Sequence, residues 1–199
     1  MHPYPKEIGW VEVVCGSMFS GKTEELIRRI KRAVYGKQRV QVFKPKLDNR
    51  YDDSAVVSHS QLKLLSTPIE RPDEIFVHLK PDTEVVGIDE VQFLGPDVVR
   101  VVEELAQRGV RVICAGLDQD YQGKPFEPMP QLLAIAEYIT KELAICVVCG
   151  NPANRSQRLI AREERVLVGA SGEYEARCRK CHVVSPAEAT PAQNLDLFR

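Results

Sequence analysis

Three groups of residues in this 199-residue chain have types and spacings that could do chemistry. The first is residues 16–23, GSMFSGKT, which fits the phosphate-loop pattern GxxxxGK[ST]. Gly16 and Gly21 allow the backbone to curl, so that the N–H groups of Ser17, Met18, Phe19 and Ser20 can point at phosphate oxygens. Lys22 brings a compact cation to the β- and γ-phosphates, and the Thr23 hydroxyl is placed to ligate a magnesium ion bridging them. A Gly-Ser turn that happens to carry Lys-Thr is the competing reading. The β-type run before the loop (residues 11–15, VEVVC) and the helix-like segment after it favour the nucleotide.

The second group ends the apolar segment at residues 84–93, EVVGIDEVQF. Asp89 at the end of such a strand can hold magnesium through water, and Glu90 can take a proton from an attacking hydroxyl or water. Apolar strands ending in Asp-Glu are common, so the pair means little alone. Combined with a phosphate loop it gains weight, because parallel strands bring their C-terminal ends to one edge of a sheet.

The third group is four of the six cysteines: Cys146 and Cys149 in CVVC, and Cys178 and Cys181 in CRKC. Two such knuckles read as a tetrahedral four-thiolate structural zinc site, with redox pairs as the alternative. The 28 residues between Cys149 and Cys178 exceed the about 15–20 of a compact zinc ribbon, so a piece must protrude between the knuckles. His182 is either a substitute ligand or an exposed neighbour. Cys15 and Cys114 lie in apolar runs and read as small buried residues.

The elements that must position these groups follow from periodicity. Residues 24–35 place Leu26, Ile27, Ile30 and Val34 on one helical face, with Arg28, Arg29, Lys31 and Arg32 on a face read as solvated. With the strand RVQVFK at 39–44 this makes a right-handed βαβ unit. Residues 46–60 are too long and polar for a plain connector, so function and a simple solvated loop both remain open. His59 and His78 read as non-catalytic. Gly95-Pro96 opens another helix, residues 110–117 form a buried strand, 132–136 are helical, and 139–145 form a last strand running into the first knuckle. Between the knuckles, 165–168 read as a strand, 169–172 as a bend and 173–176 as a return, a flap anchored by the metal.

The expected division is residues 1–143 as an α/β nucleotide-binding domain, 144–190 as a zinc domain, and 191–199 as a loose tail. A net charge of −1 offers no basic field for a polyanion, which disfavours nucleic acid as the main partner. No apolar run approaches the ~20 residues of a membrane span, and MHPYPKEIGW lacks a signal-peptide core, so a cytoplasmic chain with no membrane partner is expected.

GSMFSGKTEEL, DNRYDDS, GIDEVQF, AGLDQDYQGKPF and the two CxxC knuckles, in that order, resemble the type II thymidine kinases, the cytosolic zinc-containing class. The resemblance covers residues 12–182. It implies a RecA-like P-loop domain with a central, mostly parallel sheet and a small four-cysteine zinc domain carrying a lasso loop. It further implies transfer of the ATP γ-phosphate to thymidine and deoxyuridine in pyrimidine salvage, a homotetramer, and feedback by thymidine triphosphate. By the same resemblance Lys22, Thr23 and Asp89 serve the phosphates and metal, Glu90 is the general base, and Asp48 and Arg50 lie near substrate and phosphates, Arg50 counting as catalytic. Met18, Phe93, Leu117, Tyr121, Phe126 and Tyr174 surround the nucleoside, and Leu167, Val168 and Gly169 lie in the lasso. Gln119 and Asp120 depart from the smaller residues associated with that segment. If the lasso's main chain at 166–172 reads the base edge, thymine fits and cytosine leaves buried groups unpaired.

Two other readings belong to different classes. A motor-type ATPase would need a basic track or sensor elements, and neither is visible. A zinc-ribbon nucleic-acid-binding protein is opposed by the near-neutral charge.

Overall fold

The structure is a computed structural model that describes residues 8–46, 55–57, 63–160 and 172–184. Strand β1 (Trp10–Gly16) is buried along its whole length, as expected of a β-branched run covered on both faces. Helix α1 (Lys22–Tyr35) leads back to β2 (Val40–Pro45), completing the βαβ unit. There follow β3 (Ala55–Val57), β4 (Lys63–Leu65), β5 (Thr67–Ile69), α2 (Glu74–His78), β6 (Val85–Ile88), a 3₁₀ turn (Val91–Leu94), α3 (Val98–Gln107), β7 (Arg111–Leu117), α4 (Met129–Ile135) and β8 (Tyr138–Glu142). Four short strands close the described chain: β9 (Ala144–Ile145), β10 (Pro152–Ala153), β11 (Arg155–Arg158) and β12 (Tyr174–Arg177).

The main sheet has six strands in the order β5-β2-β6-β7-β1-β8, and every pairing in it is parallel. β1 therefore has a neighbour on each side, β7 and β8, and the phosphate loop leaves the sheet one strand in from its β8 edge. The chain is an α/β protein.

Alternation along β1 sorts the two cores. Val11, Val13 and Cys15 face α3 and α4, packing with Val98, Val101, Val102, Leu105, Met129 and Leu132. Val14 faces α1, with Leu26, Ile27, Ile30 and Ala33. Each of these large aliphatic side chains contributes about 1.5–3 kcal/mol on burial, which fixes the helices against the sheet.

The structure corrects several sequence readings. Val34 is 54% exposed and Ala33 takes the inward position, because α1 turns its apolar stripe slightly away from the expected face. The basic face of α1 is not wholly solvated: Arg29 is turned inward to Glu12 at 2.7 Å and to Thr140 at 2.7 Å. The expected strand at 139–145 breaks at Leu143, with β8 ending in the main sheet and β9 pairing instead with β10. Part of the long segment after β2 is a two-stranded antiparallel pair, β3 with β4.

Glu12 is the one charged residue of β1, and it points toward α1 among apolar neighbours. It accepts hydrogen bonds from Trp10 Nε1 (2.8 Å), Arg111 Nε (2.6 Å) and Arg29 Nη1 (2.7 Å). Burial opposes its charge, but Arg111, Trp10 and Arg29 together hold its pKa below the ordinary 4.5. A depressed carboxylate pKa contributes stability that is fully present above 4.5 and is lost as pH falls through the folded value. Glu12→Gln should cost about 3 kcal/mol, because two guanidinium groups lose their anion. Urea unfolding at pH 7 checks this, and the gap between the two proteins should narrow below pH ~4.

Candidate active site and metal centre

The C-terminal ends of β1, β6 and β7 meet at one edge of the sheet, as parallel strands require. Gly16 leaves β1 with φ 151, and a Cβ there would stand 2.2 Å from the Glu142 carbonyl oxygen, so only glycine fits between the loop and β8. Gly21, at φ 89, starts α1, and non-glycine Phe19 takes φ 63 within the loop. Lys22 folds back under this arch and donates to the Ser17 carbonyl at 2.8 Å. Its ammonium is buried, which lowers its pKa, while the carboxylates of Glu90, Asp89 and Asp118 pull the other way.

The Thr23 hydroxyl lies 3.3 and 3.4 Å from the two carboxylate oxygens of Asp89. Burial, and then the neighbouring Glu90, push Asp89 up to about 7. Hard oxygens from a hydroxyl and a carboxylate whose charge lacks solvation make a donor set that fits magnesium. Among the described residues, the Ser20 hydroxyl inside the loop and Asp118 Oδ1 are buried without hydrogen-bond partners. A polar atom turned into a loop of backbone N–H groups fits an incoming phosphate. Asp118 Oδ2 pairs with Lys141 at 2.6 Å, tying β8 to the same edge.

Glu90 follows directly, in the left-handed region at φ 48, a conformation that costs a non-glycine residue of order 1–3 kcal/mol. The strained turn sends the chain into the 3₁₀ segment that presents Phe93. Phe93 meets Phe126 edge-on, with centroids 5.8 Å apart. Tyr121 and Tyr174 are joined through a residue that the sequence reading missed. Arg158 is fully buried, places its guanidinium 3.7 Å from the Tyr121 ring, and donates to the Tyr174 hydroxyl at 2.8 Å. Met18 N–H donates to Ser156 Oγ at 3.0 Å, which ties the phosphate loop to β11. Of the expected nucleoside residues, Met18, Phe93, Leu117, Tyr121, Phe126 and Tyr174 are described: Phe93 meets Phe126, and Arg158 joins Tyr121 to Tyr174. Asp48, Arg50, Leu167, Val168 and Gly169 lie outside the described residues, as do the strand expected at 165–168 and the tail at 191–199.

Asp120 explains the departure in its segment. Its Oδ1 accepts from the N–H groups of Gln122 and Lys124, both at 3.0 Å, so the aspartate closes its own turn. Gln119 accepts from Arg155 of β11.

The four thiols of Cys146, Cys149, Cys178 and Cys181 lie within 4.8 Å of one another. Cys149 Sγ is 3.6 Å from Cys178 Sγ and 3.5 Å from Cys181 Sγ, close to the ~3.8 Å edge of a tetrahedron with 2.3 Å zinc–sulfur bonds. Asn151 donates to Cys149 Sγ at 3.3 Å, drawing that thiol down to about 6, while the hydrogen bond to Cys149 pushes Cys181 up to about 12, so Cys149 is the thiolate of the pair. The cluster fits a structural zinc ion. His182 is neither a member of this cluster nor simply exposed: it is half-buried, and its Nε2 lies 2.8 Å from the Tyr121 carbonyl oxygen.

A family model described as "Thymidine kinase" matches residues 9–182. The chain belongs to the thymidine kinase family. It is 59% identical over 172 residues to a thymidine kinase of Bdellovibrio bacteriovorus, covering 86% of this chain and 84% of that one. It is 58% identical over 174 residues to a thymidine kinase of a Rhodothermus species, covering 87% and 81%. The reaction is thus phosphorylation of thymidine to thymidine monophosphate, with ATP as the other substrate. Among the described residues, no helix is long and apolar enough to cross a membrane.

Metal analysis of the purified chain should find one zinc per chain, and zinc-free reduced thiols would refute the site. Cys149→Ser should expose the chain beyond Leu143 to limited proteolysis before the six-stranded sheet opens.

Proposed function

We propose that thymidine lies between the phosphate edge and the aromatic side chains of Phe93, Phe126, Tyr121 and Tyr174, and that Glu90 is the base for its 5′-hydroxyl. The observation that carries this reading is the convergence of Lys22, Asp89 and Glu90, with a strained backbone at Glu90, beside that aromatic group. ATP lies in the cradle of Gly16, Ser17, Met18, Phe19, Ser20 and Gly21. Lys22 faces the charge that develops on the transferred phosphoryl group, and Thr23 with Asp89 holds magnesium. When bound, the metal neutralises charge on the phosphate oxygens. Glu90 accepts the hydroxyl proton as O5′ forms its bond to the γ-phosphorus and the bond to the β,γ-bridging oxygen breaks, releasing ADP. Asp48 and Arg50 belong to this set by the same reading, with Arg50 in a catalytic part, and Leu167, Val168 and Gly169 cover the base.

Residues 1–143 then form the nucleotide-binding unit and 144–190 the zinc unit with its lasso. We place the enzyme in the cytoplasm, in pyrimidine salvage for DNA synthesis, without nucleic-acid or membrane partners. Deoxyuridine is a second substrate. A homotetramer is supported by exposed Ile139 on β8, which has no outer neighbour among the described residues, and by exposed Leu143 and Ile145 just after it. Thymidine triphosphate, which carries both a nucleoside and a phosphate chain, would span the two subsites as a feedback inhibitor.

Phosphate transfer from ATP should occur to thymidine and deoxyuridine and not to deoxycytidine or the purine deoxynucleosides. Transfer to deoxycytidine at a comparable kcat/KM would sink the assigned selectivity. Glu90→Gln should bind both substrates with little change yet lower kcat by about 10²–10⁴-fold, while near-normal turnover would remove Glu90 from the reaction.

A further inference from the structure

Gln92 is 3% exposed and belongs to none of the groups assigned so far. Its Nε2 donates to Glu90 Oε2 at 2.6 Å, and its Oε1 accepts from the Leu117 N–H at 3.1 Å. A single buried amide thus links the carboxylate at the end of β6 to the backbone at the end of β7. The neighbouring glycine shows how closely this amide is held. A Cβ on Gly116 would stand 2.6 Å from Gln92 Oε1, 2.9 Å from Val91 Cγ1 and 3.0 Å from Met129 Sδ. Only a residue without a side chain lets the amide lie against β7, and the Leu117 N–H in turn fixes which end of the amide faces Glu90.

We propose that Gln92 is a positioning residue for the phosphoryl transfer: its amide fixes the rotamer of the Glu90 carboxylate, leaving Oε1 of Glu90 directed to the nucleoside hydroxyl. This rests on the assignment of Glu90 as the base. Two features make such a tether necessary. Glu90 is half-buried on a left-handed backbone, so its side chain is not held by a regular strand or helix. The buried Lys22 ammonium also attracts it, and a carboxylate drawn onto that cation would no longer reach the hydroxyl. The amide donor occupies one carboxylate oxygen without adding charge. The Leu117 N–H holds the other end of the amide, so the orientation of the Glu90 carboxylate is referred to the end of β7.

The test is a double-mutant cycle with thymidine and ATP, measuring kcat and both KM values for the parent, Glu90→Gln, Gln92→Leu and the double variant. Gln92→Leu should lower kcat about 10–100-fold and leave both KM values within about threefold. In the Glu90→Gln background the same substitution should cost less than about threefold, since its effect passes through a carboxylate that is no longer there. Gln92→Met provides the second variant. It keeps nearly the same length and volume but has no amide to donate to Glu90, so it should lose kcat as Gln92→Leu does. If Gln92→Leu does not fold, the cycle is run with Gln92→Met. An unchanged kcat, or a loss that multiplies in full on the Glu90→Gln background, overturns the role of Gln92 while leaving Glu90 as the base. An unchanged kcat in Glu90→Gln alone overturns the base assignment and this inference with it.

Discussion

The buried ammonium of Lys22 lies beneath an arch that only glycine can form, beside Asp89, Glu90 and Asp118, side chains from the ends of two other strands. Parallel pairing is what makes this concentration of charge possible, because all six strands end on the same side. Burial works against the charges of Lys22 and Asp89. Lys22 is pulled down and Asp89 is pushed up to about 7, so the edge is poorly solvated before any substrate arrives. Polyphosphate with a divalent cation matches what this edge offers: backbone N–H groups, an ammonium, a hydroxyl and a carboxylate.

Holding such an edge in place requires rigidity behind it, and β1 supplies this from both faces. One face packs on α3 and α4 through apolar side chains. The other packs on α1 but includes Glu12, whose guanidinium partners come from α1 and β7. Hydrophobic packing alone tolerates small shifts of a helix along a sheet. Hydrogen bonds from Arg29 to Glu12 and to Thr140 of β8 narrow that freedom, because each has a preferred length and angle. The start of α1 is the phosphate loop, so the register of this helix sets the position of Lys22 and Thr23.

What could be read from the sequence was whatever depends on local pattern. The phosphate loop, the Asp89-Glu90 pair and the two knuckles are short strings whose residue types state their chemistry, and the parallel α/β arrangement follows from apolar runs alternating with amphipathic segments. The features missed depend on pairs distant in the chain. Arg29 looks like one more solvated base on α1 until Glu12, on another element, accounts for it. Arg158 has no local signature, and its role exists only where Tyr121 and Tyr174 come together around it. Leu143 ends a strand because the next residues find a different partner in β10, which periodicity does not encode. Gln92 was in plain view within GIDEVQF, and a polar amide two residues after the acidic pair in an otherwise apolar segment was the available signal.

The two halves of the described chain meet through polar contacts more than apolar ones. The cluster around the thiols consists of small residues, Ala144, Ala153 and Ala176 with the cysteines, too little apolar surface to hold the region by itself. Its position comes from directional bonds to the nucleotide side: Ser156 with the Met18 N–H, Arg155 with Gln119, and His182 with the Tyr121 carbonyl. Each of these ends on the phosphate loop or on the segment after β7. Zinc binding in such a region is folding energy, so a zinc ion held by the four thiols would contribute to the placing of Tyr174 and Arg158 beside Tyr121. Order thus passes from the thiols through β11 and β12 to the aromatic group, and from β1 through α1 to the phosphates, and the two paths converge where Met18 meets Ser156.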